Sequence, residues 1–91
     1  MKILTRPSFN KAFAALSEEH QAQVRAAAAA LPSAFGHPHT HAGLGIRRVG
    51  QFFEFRAGLK IRVLFALNDG DVLLVTVGTH DDIARFIRNA G

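Results

Sequence analysis

Hydrophobic spacing divides the chain into a helical first third and a strand-rich remainder. Lys2-Ile3-Leu4-Thr5 is a short strand candidate that Pro7 closes, because proline has no N–H to give to a ladder. From Ser8 the period lengthens: Phe9, Phe13 and Leu16 recur at three- and four-residue spacing, which lines one side of a helix. Ser17, followed by Glu18 and Glu19, offers a capping oxygen and then acidic residues for the positive end of a helix dipole. The pattern therefore predicts two helices, about Ser8–Leu16 and Glu18–Leu31. The second would bury Val24 and Leu31. Ala26 to Ala30 give it high helix propensity and side chains small enough for close approach to a sheet. His20 falls on the stripe of this helix as a packing or surface residue. Leu31-Pro32-Ser33 is read as its end.

Ser33 to Gly43, with Gly36, Pro38 and three histidines, reads as a loop. Strand signals then follow at close intervals. Leu44–Val49 comes first, then a Gly50-Gln51 turn, Phe52–Arg56, and an Ala57-Gly58 turn. Along Leu59–Leu67, Leu59, Ile61, Val63 and Phe65 face one way and Lys60 and Arg62 the other. Asn68-Asp69-Gly70-Asp71 is a hairpin signal. Val72–Val77 is a continuous apolar run, as in a central strand covered on both faces. A last helix is predicted from Thr79 to about Asn89, with Asp81 and Asp82 in its first turn and Ile83, Phe86 and Ile87 as its apolar stripe. The order β-α-α-β-β-β-β-α predicts an α+β domain with a largely antiparallel sheet.

Composition narrows the class. Ninety-one residues, 48% of them hydrophobic and eight of them Phe, supply one core and so one domain over 1–91. No cysteine is present, so neither a disulfide framework nor a zinc–thiolate site is available. Residues 1–10 hold no signal-length apolar run, and nothing approaches the roughly 18 apolar residues of a membrane helix. A soluble, cytoplasmic protein is the expectation. The net charge of +4 is unevenly spread. In 44–66, Arg47, Arg48, Arg56, Lys60 and Arg62 face Glu54 alone, whereas 67–91 has Arg85 and Arg88 against Asp69, Asp71, Asp81 and Asp82. A basic pole in the middle of the chain suits a polyanionic partner.

Three segments carry a family resemblance: Gly43-Leu44-Gly45-Ile46-Arg47-Arg48-Val49, Phe53-Glu54-Phe55-Arg56-Ala57-Gly58, and Ile61-Arg62-Val63-Leu64-Phe65. With the element order, they resemble the RelE/ParE superfamily of toxins from toxin–antitoxin systems. Val77-Gly78-Thr79-His80-Asp81-Asp82 is similar to the segment that closes the sheet in several branches, YafQ-like toxins among them. The resemblance implies two N-terminal helices packed on a curved sheet of four to five strands, followed by a C-terminal helix. It also implies a cognate antitoxin, laid across the basic sheet or displacing Asp81–Asn89. RelE-like members cleave mRNA, often on the ribosome, without a cofactor. ParE-like members instead bind a protein target such as DNA gyrase, and both outcomes stay open at this point.

Metal-independent RNA cleavage needs a base for the 2′-hydroxyl, charge to stabilise the phosphorane, and an acid for the leaving oxygen. Arginine supplies bidentate phosphate contacts and histidine exchanges protons near neutrality. Arg56, out of phase with Phe53 and Phe55, is the candidate for phosphate stabilisation, and the resemblance places the family's strand arginine there. His80, where the last strand becomes a helix, is the candidate acid or base, although it would equally suit the solvated first position of a capped helix. His41 is a candidate second proton carrier. Arg47, Arg48, Lys60 and Arg62 are candidate RNA contacts, with Arg47 facing the basic surface and Arg48 nearer the edge. His37, His39 and His41 share an i, i+2, i+4 spacing, but the resemblance uses no metal. Nuclease members often carry a tyrosine after the last strand, and this chain has none. Cleavage here would therefore lean on His80 and the arginines.

Overall fold

The computed structural model describes residues 2–34 and 45–90. The elements are β1 (Ile3–Thr5), α1 (Pro7–Ala14), α2 (Glu18–Ala34), β2 (Arg47–Val49), β3 (Phe52–Ala57), β4 (Ile61–Asn68), β5 (Asp71–Gly78) and α3 (His80–Ala90). The strands form one sheet in the order β1-β5-β4-β3-β2, antiparallel except where β1 runs parallel to β5. This is the expected α+β arrangement. The β4–β5 connection is a two-residue hairpin in which Asp69 and Gly70 both have positive φ, 53° and 84°. That conformation matches the twist of the flanking strands and favours an Asp-Gly pair.

Helices α1 and α2 cover one face of the sheet. Their stripe of Phe9, Val24 and Leu31 meets Phe55, Ile61, Val63, Phe65, Val72, Leu74 and Val77. Phe65 stacks on Phe53 at 5.5 Å and tilts against Phe55 at 5.7 Å. A fully buried ring such as Phe55 or Phe65 is worth about 1.5–3 kcal/mol over exposure. Ala27 and Ala28 pack on this core, the close approach expected of the alanine run. Ser17 caps α2 by accepting from the His20 N–H at 3.2 Å. Helix α3 covers part of the other face, where Ile83 joins Phe52, Leu64 and Val75, with Phe86 and Ile87 beside them.

A β-bulge explains the unbroken apolar run of β5. Leu64 pairs with Thr76 and Phe65 with Leu74, so Val75 is the extra residue. Leu74 and Val77 both lie in the α1/α2 core although three residues apart, while Val75 lies in the α3 cluster. Regular alternation would forbid that pattern, and the inserted residue resets the phase.

Several boundaries differ from those predicted. Leu59 does not join the alternating strand: it sits in the β3–β4 turn, 92% exposed, and β4 begins at Ile61. The turn is one residue longer than its Ala57-Gly58 signal, because Ala57 still pairs with Ile61. Helix α2 runs through Pro32 to Ala34, past the expected end at Leu31, although proline has no N–H to give to the helix. Helix α3 starts at His80 because Thr79 is its cap. The strand expected from Leu44 begins only at Arg47, since Gly45 and Ile46 precede it outside the ladder, while Leu44 itself lies outside the described residues. Helix α1 ends at Ala14 rather than Leu16.

Candidate functional site

Phe53 and Phe55 turn into the α1/α2 core, so Glu54 and Arg56 emerge on the opposite face of β3. Strand register lines their neighbours up beside them. Arg47 of β2 lies opposite Glu54, Arg56 lies opposite Arg62 of β4, and Arg62 lies opposite Gly78 of β5. That last row ends beside α3, whose first residue is His80. The result is a cavity of about 280 Å³ lined by Gly45, Arg47, Glu54, Arg56, Arg62 and His80.

Three guanidinium groups around one small space repel one another, and like charges directly opposite in a sheet are unfavourable. Two features offset this. Glu54, only 3% exposed, accepts a hydrogen bond on Oε1 from Arg47 Nε at 2.9 Å, and Arg62 Nε stands 3.8 Å from the same oxygen. Gly45, at φ 56°, leaves room for Arg56: a Cβ there would lie 3.0 Å from both Nε and Nη2 of that guanidinium. Arg62 Nη1 is buried and has no hydrogen-bond partner among the described residues, so it is a donor that they leave without an acceptor.

His80 is exposed at the cavity rim, held by the cap of its helix. Thr79 Oγ1 accepts from the Asp82 N–H at 3.2 Å, and Asp82 Oδ2 accepts from the Thr79 N–H at 3.0 Å. This reciprocal pair is a capping box with Asp in place of Glu. The backbone and then the hydroxyl hydrogen bonds of Thr79 hold the Asp82 carboxyl below the usual carboxylate range, with a smaller contribution from Arg85.

Of the residues singled out from sequence, Arg47, Arg56, Arg62 and His80 come together, and two do not. Arg48 lies opposite Phe53 on the other face, its guanidinium over that ring at 5.5 Å and its Nε donating to the Gly50 carbonyl. The expected sharing of one face by Lys60 and Arg62 does not hold. Lys60 belongs to the β3–β4 turn and lines a separate hollow with Glu19, His20, Gln23 and Leu59. His37, His39 and His41 lie outside the described residues. Among the described residues, no group of three or more His, Cys, Asp or Glu side chains is placed to hold a metal ion, and no helix is long and apolar enough to cross a membrane. A larger hollow of about 470 Å³ between α1 and α3 has largely apolar walls. The charged residues on it, Asp82 and Arg85, pair with each other at 3.4 Å.

No protein-family model matches the chain, and no curated protein matches its sequence. Backbone comparison does find relatives. YafQ from E. coli strain BL21(DE3) superposes with a TM-score of 0.72 at 11% identity, covering 90% of this chain and 96% of that one. The chain has the YafQ/RelE fold. A RelB–RelE antitoxin–toxin complex from Methanococcus jannaschii gives 0.66 at 12% identity over 91% and 96%, and an E. coli DinJ–YafQ complex gives 0.69 at 13% over 90% and 96%. At such identities the likeness is one of backbone. Within the YafQ/RelE fold of this chain, the arginine cavity occupies the β2–β3–β4 side of the face that α3 partly covers.

Glu54 and Gly45 were not among the candidates read from sequence. Glu54 is the lone acid of the basic stretch and is in phase with Arg56, a signal that alternation alone makes available. Gly45 gives no comparable signal, since its value lies in a guanidinium brought over it by another strand.

Proposed function

We propose that this chain is the toxin of a toxin–antitoxin pair, a cytoplasmic, metal-independent endoribonuclease that cleaves mRNA, free or on the ribosome, and so stops translation. The observation that carries this reading is the cavity where Arg47, Arg56, Arg62 and His80 meet. The toxins of the same fold, two of them solved in complex with antitoxins, add support for the partner. Arg56 and Arg62 grip the scissile phosphate and stabilise the charge that builds on its oxygens. Arg47 contacts the adjoining backbone. One proton carrier accepts the 2′-hydroxyl proton as that oxygen attacks phosphorus. The P–O5′ bond breaks, and a second carrier protonates the departing oxygen. The products are a 2′,3′-cyclic phosphate and a 5′-hydroxyl. His80 takes one of these roles. His41, four residues before Gly45 in the chain, takes the other. Arg48 and Lys60, standing away from the cavity, serve only as flanking contacts to RNA.

Induced expression tests the reading. Wild type should arrest growth with early loss of protein synthesis in pulse-labelling, and the Arg56→Ala/His80→Ala double variant should relieve the arrest while remaining folded. Arrest undiminished in the double variant refutes the nuclease. A second reading is favoured by the absence of tyrosine and by α3, which continues the chain as a helix after β5. In that reading the protein arrests a target such as DNA gyrase by binding, as ParE-like toxins do. Early loss of DNA synthesis, insensitive to His80, would support it.

A further inference from the structure

We infer that Glu54 is a positioning residue: a buried carboxylate that fixes the side chains of Arg47 and Arg62 and so sets the direction in which the cavity offers its cations. Its consequence for cleavage rests on the endoribonuclease reading; its geometry does not. Arg47 and Arg62 come from β2 and β4, which are not neighbours but flank β3 on either side. Between them stands Glu54, at 5% side-chain exposure, against 58% for Arg47 and 25% for Arg62. A buried carboxylate is costly unless paired, so its place in the middle strand ties both arginines to one point. Both approach through Nε, at 2.9 and 3.8 Å. The guanidinium therefore turns its side edge to the carboxylate. In Arg62 this leaves Nη1 buried with no acceptor among the described residues, a donor that a bound anion would satisfy. Arg56 is placed independently, over Gly45. One carboxylate thus organises two of the three cations, and a missing side chain makes room for the third.

A bystander and a positioning residue differ in sign. As a mere negative charge, Glu54 opposes phosphate binding, so Glu54→Gln would tighten RNA binding and leave cleavage unharmed. As a positioning residue, it should show a split between binding and cleavage, because a misplacement of the order of 1 Å at a reacting centre costs heavily in rate. The test uses the full chain, wild type and Glu54→Gln. Affinity is read by fluorescence anisotropy with an RNA oligonucleotide made uncleavable by a 2′-deoxy nucleotide at the cut, and cleavage is read under single turnover on the all-ribose oligonucleotide. The expected result is affinity equal to or tighter than wild type with a cleavage rate constant lower by about tenfold or more. Nitrogen–proton NMR of arginine Nε–H groups supplies a readout that needs no activity. In the variant, water exchange at Arg47 and Arg62 should quicken while that at Arg56 stays unchanged. Unaltered exchange at Arg47 and Arg62, or unaltered cleavage, overturns the inference. Should wild type cut no RNA, the endoribonuclease reading fails, and the exchange rates still decide the role of Glu54. If Glu54→Gln does not fold, Glu54→Asp keeps the charge, withdraws the oxygens by one methylene and is measured in the same way.

Discussion

The two faces of the sheet are made by the same strands and obey opposite rules. Under α1 and α2 the buried strand residues are apolar, and Phe55, Val63, Phe65 and Val72 are wholly inaccessible. The other face is split. Where α3 lies across it, Phe52, Leu64 and Val75 are apolar. Where none of the described helices lies, Arg47, Glu54, Arg56 and Arg62 gather. A helix dictates hydrophobic residues beneath it because only they gain from losing water. The uncovered half is under no such demand, yet it gathers cations that repel one another. Stability should therefore reside on the first face and chemistry on the open half of the second.

Phe65→Ala puts the greatest strain on that comparison. It removes a fully buried ring that packs on both Phe53 and Phe55, and the expected loss is about 3–5 kcal/mol in urea unfolding. A loss under about 1 kcal/mol would mean that the first face is not where the fold is held. Glu54→Ala should come next, at about 1–3 kcal/mol, because it strands the partly buried Arg62. A neutral result would remove the carboxylate from the structural account. Asp82→Ala deletes half of the α3 cap, and about 1 kcal/mol is expected in thermal or urea melts. The sign with pH is fixed: the folded Asp82 carboxyl titrates below its unfolded value, so its contribution is full at neutral pH and fades on acidification through and below pH ~4. Asp82→Ala should accordingly lie closer to wild type in strong acid than at pH 7. Arg56→Ala and His80→Ala, both exposed, should change stability least, by no more than about 0.5 kcal/mol each. A large effect there would erase the division between the faces.

Much of this layout was legible in the spacing of side chains. The Phe9–Phe13–Leu16 stripe, the Ser17 cap and the Asp-Gly hairpin are local signals, and each produced its element. The alternation around Phe53 and Phe55 brought Arg56 out on the polar side because a strand has no freedom in that respect. What spacing did not carry depends on contacts distant in sequence. Leu59 looks like the next member of an alternating row, but strand pairing begins two residues later at Ile61. The Val75 bulge exists only relative to β4. Arg48 reads as a cation of the basic pole, yet pairing with Phe53 turns it to the other face. Glu54 is one acid among five bases until register sets Arg47 and Arg62 on either side of it.

The central claim, that the open half of the second face cuts RNA, is tested most directly by incubating the purified chain with a short RNA oligonucleotide and with the same oligonucleotide carrying 2′-deoxyribose at the cut position. The expected result is a 5′-hydroxyl fragment and a 2′,3′-cyclic phosphate from the first and no product from the second. The Arg56→Ala/His80→Ala double variant, with an unchanged urea melt, should be slower by about a hundredfold or more. Cleavage that survives the double substitution, or that proceeds without the 2′-hydroxyl, would contradict the account.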